Sequence, residues 1–447
     1  MNKTETANSN SSYLRDFAGI EIDQPPTGQE WTNTIRSAAR ARFAELGFPN
    51  RSHEEWRYTP IAPIVETPFK LANRATGSIS PAQLAAFTFN APEWVELVFV
   101  NGHYAPELST LHNDSNGISV SSLASAIESD NTVAQQYLAK YAAFDLQHFV
   151  ALNTAVLGDG AYVHIPRGVV VEQPIHLLFI SNSTDDVATV SHPRSLIVAE
   201  ENSQATIVES YVGIADQVYF TNAVTEVVLG PNAVVDHYKV QRESAKAFHV
   251  ATTQMQLDRA SNFRSHSINI GGSLVRNDIN AVLGAEGIEC TLNGLYMAND
   301  RQLVDNHTAI DHAMPHCNSH ELYKGIIDGK ARGVFNGKIF VREDAQKTDA
   351  KQTNQTLLLS NDAQINTKPQ LEIYADDVKC THGATVGQLS DEALFYLRSR
   401  GIGTDEARSL LTYAFASDVV SRIKVDQVRA QLDHALLTVR GLEGLSE

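Results

Sequence analysis

EENSQATIVES (200–210) starts with a small polar turn and runs on as an alternating strand. The same pattern returns in GPNAVVDHYKV (230–240), DRASNFRSHSI (258–268) and GAEGIECTLNG (284–294), at intervals of about 25–30 residues. Looser echoes appear in DGKARGVFNG (328–337) and SNDAQINTKPQ (361–371). A repeating unit of turn plus strand predicts stacked coils, as in a parallel β-helix. A β-sandwich or jelly roll is the alternative, with turns falling every 8–12 residues.

The region around these repeats has the same texture. From Gly158 to about 388 the chain is a series of short runs such as AYVHI, HLLFI, SLIVA, EVVL and VFNGKIFV, separated by Gly, Asn, Asp and Pro. No helical pattern of ten residues interrupts it, so this part is expected to be all-β.

The flanks read differently. In TGQEWTNTIRSAARARFAELG (27–47), Trp31, Ile35, Ala38, Ala39, Phe43 and Leu46 recur at helical steps and Gly47 is a stop. Prolines 49, 60 and 63 forbid a long helix in FPNRSHEEWRYTPIAPI, and WVELVFVNGHY (94–104) predicts a strand ending in an Asn-Gly turn. Residues 119–156 are mostly helical in pattern. After Gln388 come three helices, with Ser390 and Thr404 as N-caps and Gly401 and Gly403 between the first two. Leu410, Leu411, Ala414 and Phe415 are expected to form the buried face of the second. The domains are therefore taken as 1–157, mainly helical; 158–388, the β core; and 389–447, helical.

The net charge of −17 argues against nucleic acid as a partner, because phosphate binding needs basic clusters. Three cysteines are too few for a disulfide framework and fit a reducing compartment. The polar N-terminus MNKTETANSNSSYL reads as a frayed tail, not a signal or transit peptide, and no apolar run is long enough to span a membrane. A cytoplasmic protein is expected.

VKCTHGATVGQL (378–389) concentrates the chemistry. On a strand, Cys380 and His382 project to one face. A neighbouring imidazole can lower a thiol's pKa and supply a second metal ligand. Two ligands make an open site that another segment or chain must complete; the plain alternative is a packed cysteine beside a satisfied histidine. Gly383 and Gly387 allow close approach of a backbone. In DNHTAIDHAMPHCNSHELYKG (305–325), His312, His316 and His320 have i, i+4 spacing, but Pro315 opposes a helix. In an extended chain they span about 27 Å, too far for one ion, so histidines filling turns are the expected reading. GVFNGKI (333–339) fails the phosphate-loop spacing, and no hydrolase signature is present.

CTHGATVGQLSDEALFYLRSRGI (380–402) resembles the signature of the SufB/SufD family, core subunits of an iron–sulfur cluster assembly complex. RSHEEWRYTPI (51–61), VNGHYAPELS (100–109), FVALNTAV (149–156), GDGAYVHIPRGV (158–169) and DHAMPHCNSHELYKGI (311–326) are similar to family segments in the same order. The HEEW-Y-TP segment and Thr381-His382-Gly383 after the cysteine place it on the SufD side of the family, as does the lack of further cysteines; His307 and His320 are departures. The resemblance implies a right-handed parallel β-helix between helical N- and C-terminal domains. It implies pairing with a SufB-type subunit, and docking of a SufC-type ABC ATPase on helices carrying Leu394, Phe395, Tyr396, Arg398 and Arg400. Cys380 and His382 become candidate ligands for iron, a transient cluster or sulfur at that interface. The chain itself is then not an enzyme and holds no tight cofactor. The competing readings are a SufB-type scaffold, which would hold a cluster alone, and a β-helix polysaccharide lyase or hydrolase, which would need a carboxylate cluster in a sugar groove and against which the lack of a signal peptide counts. The sulfur donor, a flavin, and the roles of Cys290 and Cys317 stay open; an exposed sheet edge also allows a homodimer of the isolated chain.

Overall fold

The structure, a computed structural model, describes residues 29–72, 79–112, 117–182 and 187–439; the stretch read as a frayed tail lies outside the described residues. In chain order the strands are β1 (Lys70–Leu71), β2 (Val95–Val100), β3 (His103–Tyr104), β4 (Ser119–Ser122), β5 (Ala161–Ile165), β6 (Ile175–Ser181), β7 (Thr189–Ser191), β8 (Arg194–Ala199), β9 (Gln204–Gly213), β10 (Tyr219–Leu229), β11 (Val234–Glu243), β12 (Phe248–Leu257), β13 (Asn262–Gly271), β14 (Leu274–Leu283), β15 (Glu289–Ala298), β16 (Leu303–His312), β17 (Asn318–Ile327), β18 (Arg332–Val341), β19 (Asp349–Leu358), β20 (Gln364–Ile373) and β21 (Lys379–Gly387). From β8 onward the chain alternates between two sheets. Even-numbered strands stack in one and odd-numbered strands in the other, parallel to their neighbours. This is a β-solenoid of about seven turns, as the repeats predicted. The register advances by between 26 residues (Phe248 to Leu274) and 32 (Arg332 to Gln364) per coil.

One turn explains the repeat. Asn202, Asn232, Ala260, Gly287, His316 and Lys347 each stand two residues before an odd-numbered strand, and all have positive φ, from 54° to 74°. Asn and Gly tolerate this conformation best, which is why the segments open on Asn-Ser, Asn-Ala or Gly-Ile. The following residue points inward and is buried: Ser203, Ala233, Ser261, Ile288, Cys317 and Thr348.

Alternation then decides which side chains line the interior. Ile207, Val227, Met255, Phe263, Ile279, Leu292 and Phe335 pack between the sheets. The interior also buries charge. Glu209 pairs with His237 at 3.0 Å and Glu243 with His249 at 2.8 Å, so each buried carboxylate has a cationic or donor partner.

The helices are α1 (Glu30–Leu46), α2 (Ala62–Glu66), α3 (Pro81–Ala85), α4 (Leu123–Glu128), α5 (Thr132–Tyr137), α6 (His148–Ala155), α7 (Asp391–Ser399), α8 (Thr404–Val420) and α9 (Asp426–Val439). Phe43, Trp56 and Phe149 cover the outer face of the even-numbered sheet through Phe220, Phe248 and Leu274. Ala416, Val419, Val420, Val428 and Leu432 cover the odd-numbered sheet through Val208, Tyr238, Leu295 and Ile326. Over these stretches each sheet is thus covered on both faces, the usual arrangement of parallel sheets.

Three expectations need correction. Residues 119–156 are not helical throughout: Ser119–Ser122 pair antiparallel with β5, and β2 pairs parallel with β6, so chain before Gly158 extends both sheets. The fully buried face of α8 is Ala407, Thr412, Ala416, Val419 and Val420; of the expected face, Phe415 packs partly against the same core, Leu410 and Leu411 are half-buried and Ala414 is exposed. Thr404 is the first helical residue and Gly403 holds the extended cap position, whereas Ser390 Oγ caps α7 by accepting from Ala393 N–H.

The ELYKG segment has a packing reason. Gly294 stands opposite Tyr323, and Tyr296 opposite Gly325, on neighbouring strands. A Cβ on Gly294 would lie 2.2 Å from Tyr323, and one on Gly325 2.3 Å from Tyr296. Gly294→Ala or Gly325→Ala should each destabilise by about 1–3 kcal/mol through overpacking. Urea unfolding of each variant checks this; a midpoint equal to wild type would mean the rings move aside freely.

Candidate functional site

Both sheets end at the same place. β20 and β21 are the last strands, and among the described residues no strand pairs with their outer edges. An unpaired edge of backbone N–H and C=O groups is a template for another chain. Pro369, in the middle of β20, lacks an N–H and is tolerated on an edge strand.

The structure places Cys380 and His382 together on β21, both on the interior-facing side. Cys380 ends a column running through Phe263, Cys290, Ser319 and Ala350. His382 ends the adjoining column through Leu292, Glu321 and Gln352. With no further coil to cover them, Cys380 is half-buried and His382 exposed. Alternation on one strand sets their α-carbons about 7 Å apart, within bridging range of a shared ligand. The expectation of a thiol made acidic by the imidazole does not hold. Burial, with Asp349 nearby, pushes the Cys380 thiol up. Only a cation or metal brought to the edge would favour its thiolate. Among the described residues no group of three or more His, Cys, Asp or Glu could hold a metal ion, so the pair is an incomplete ligand set. Gly383 and Gly387 have open space where a side chain would stand.

Comparison with known proteins bears on the whole chain. Residues 179–415 match the family model described as SUF system FeS cluster assembly, SufBD core domain, and residues 8–177 match the SufBD protein N-terminal region. The chain belongs to the SufBD family. It is 37% identical over 407 residues to an iron–sulfur cluster assembly SufBD family protein of Synechocystis, covering 89% of this chain and 88% of that one. It is 34% identical to the iron–sulfur cluster assembly protein SufD of Escherichia coli, over 88% of this chain and 89% of that protein. It is 30% identical to SufD of Bacillus subtilis, over 94% and 95%. The chain is therefore a SufD-like member, and its role lies in iron–sulfur cluster assembly.

The other SufBD segments singled out in the sequence fall into place as structure. His307, His312 and His320 sit on strands, not in turns; only His316 is a turn residue. They diverge and cannot share an ion. His312 is buried against Ser319, at 2.9 Å, and His320 is exposed on the other sheet. His307 anchors the HEEW segment, with Glu55 on Nδ1 at 3.1 Å and Asp305 on Nε2 at 3.0 Å. Burial and Arg276 alone would lower its pKa; Asp305 and Glu55 outweigh them and raise it. Sequence reasoning missed this network because His307 and Glu55 are 252 residues apart. Cys290 and Cys317 are buried, and burial raises both thiols. GVFNGKI is the interior of β18, not a nucleotide loop.

Beyond the solenoid end, α7 has no buried residue. Leu394 is half-buried, while Phe395 and Tyr396 are 74% and 54% exposed, with the Arg400 guanidinium 4.5 Å over the Tyr396 ring. Arg398 and Arg400 are exposed on the same short segment. Exposed aromatics beside arginines are the composition of interface anchors.

Proposed function

We propose that the chain is a SufD-type subunit of a SufBCD-like complex and performs no reaction of its own. Its open solenoid end pairs with a SufB-type subunit, and the segment with Leu394, Phe395, Tyr396, Arg398 and Arg400 docks a SufC-type ABC ATPase, which supplies the ATP hydrolysis. Cys380 and His382 give half of a site for iron, sulfur or a nascent cluster, and the partner gives the rest. The cluster is cargo, held transiently. The observation that carries this reading is the pair's position, on the inward face of the last strand yet uncovered, at the sheet edge where the solenoid ends. The reading places the protein in the cytoplasm; no described helix is long and apolar enough to cross a membrane. Without its partner, the same edge is expected to pair with a second copy.

Co-expression of the tagged chain with its SufB-type and SufC-type proteins, followed by weighing the purified complex, should show all three. Elution of the chain alone would overturn the assembly role. Within the complex, Cys380→Ala and His382→Ala should leave composition unchanged and lower the cluster yield on reconstitution. Full yield in both variants would remove the pair from the site.

A further inference from the structure

This inference rests on the reading of His382 as a ligand and concerns what holds its ring. Gln352 stands directly across from His382 in the parallel register, and Glu321 directly across from Gln352. Gln352 and Glu321 are buried in the interior, and His382 stands on the same face of its strand. Gln352 Nε2 donates to Glu321 Oε2 at 2.6 Å. An ionised carboxylate only accepts, so the amide nitrogen is committed to the Glu321 side. The amide oxygen, Oε1, is then the remaining acceptor of the planar group. That Oε1 is buried and has no hydrogen-bond partner, and Gln352 as a whole is 1% exposed. A buried acceptor left unmade calls for an explanation. The side chain is also fixed from across the interior: Gly337 leaves room for it, since a Cβ there would lie 2.2 Å from Gln352 Nε2. His382 is exposed, so one rotation of its side chain brings the ring inward over a strand spacing of about 4.8 Å.

We propose that Gln352 is a positioning residue for His382. Its Oε1 accepts the imidazole N–H, which selects one tautomer and turns the lone pair of the other ring nitrogen toward the open edge, while Glu321 fixes the sense of the amide. This is the arrangement in which a ligating histidine has its second nitrogen tied to an oxygen acceptor behind it.

The test is the tautomer itself. The full chain is labelled with ¹⁵N-histidine and studied by NMR at pH 8.5, above the value of about 7 to which burial raises Glu321. His382→Gln identifies the resonance. Wild type should show one His382 tautomer. Gln352→Met, which has no acceptor oxygen, should show a mixture; Gln352→Glu, which keeps one, should restore the single form. Glu321→Gln frees the amide to turn over and should also give a mixture, so the last two variants carry the comparison if Gln352→Met does not fold. Titration with Co²⁺ alone should be about 10–100-fold weaker for Gln352→Met than for wild type. The same tautomer in wild type, Gln352→Met and Glu321→Gln overturns the positioning role, whatever the metal does. A shifted tautomer together with unchanged Co²⁺ binding in His382→Gln supports the hydrogen bond and overturns His382 as a ligand.

Discussion

Arg276→Ala should destabilise the protein by about 3–5 kcal/mol and release the HEEW segment from the solenoid. Arg276 is 2% exposed and gathers four partners: Asp305 at 2.6 Å, Asp278 at 2.7 Å, the Glu55 carbonyl at 2.7 Å, and the Trp56 ring, 4.3 Å below the guanidinium. Removing the cation leaves Asp305, which is fully buried, without its main compensating charge. Thr59, which donates to the same carboxylate, is also anchored there. Burial alone would raise the Asp305 carboxyl; Arg276 and then His307 overcome it and hold it at about 2. The sign follows. A carboxyl with a depressed folded pKa contributes stability above its unfolded value, near 3.9, and loses it as the pH falls through about 2. The gap between wild type and Arg276→Ala should therefore be full at pH 7 and shrink below about pH 4. Urea unfolding across pH, followed by Trp56 fluorescence, checks this. Arg276→Met combined with Asp305→Asn should recover most of the loss, because no unpaired charge stays buried. A loss as large in the double variant would assign the effect to packing against Trp56.

The coils were legible because their turns are local. Asn202, Asn232 and Gly287 announce a left-handed residue, and the strands after them alternate by chemistry alone. The strand Ser119–Ser122 was not legible, since four residues of Ser and Val carry too little pattern to separate a strand from the helix that Ser122 caps. The fully buried stripe of α8 was misread for a different reason. A helix lying on a closely packed sheet buries small side chains most completely, so hydrophobicity alone points to a neighbouring, partly buried face. At the site, the sequence showed that Cys380 and His382 share a face. It did not show that this is the interior face of the last coil, nor that Gln352 and Glu321 stand behind the histidine. Those neighbours lie 30 and 61 residues away, and only the register of the coils makes them adjacent.

Glu321→Gln should make the protein more stable at alkaline pH, by up to roughly 3 kcal/mol at pH 8, and leave it nearly unchanged at pH 4 to 5. The carboxyl is fully buried, and burial raises it to about 7 against the weaker pull of Gln352 and Thr308. A carboxyl whose folded pKa lies above its unfolded value of about 4.3 contributes stability that is fully present below that value and is lost as the pH rises through about 7. Wild type should therefore weaken across that window and the glutamine variant should not. The difference between the two unfolding curves isolates the one group; parallel curves would mean that Glu321 is solvated in the native state. At neutral pH this side chain works against the fold, and an amide of the same shape would remove the penalty. A glutamine, however, presents either end of its amide to Gln352 and no longer dictates which end of the Gln352 amide is left for His382. The carboxylate does dictate it. A destabilising group held two rungs behind the proposed ligand pair, at the uncovered end of the solenoid, is the trade expected where orientation at a site matters more than stability of the core.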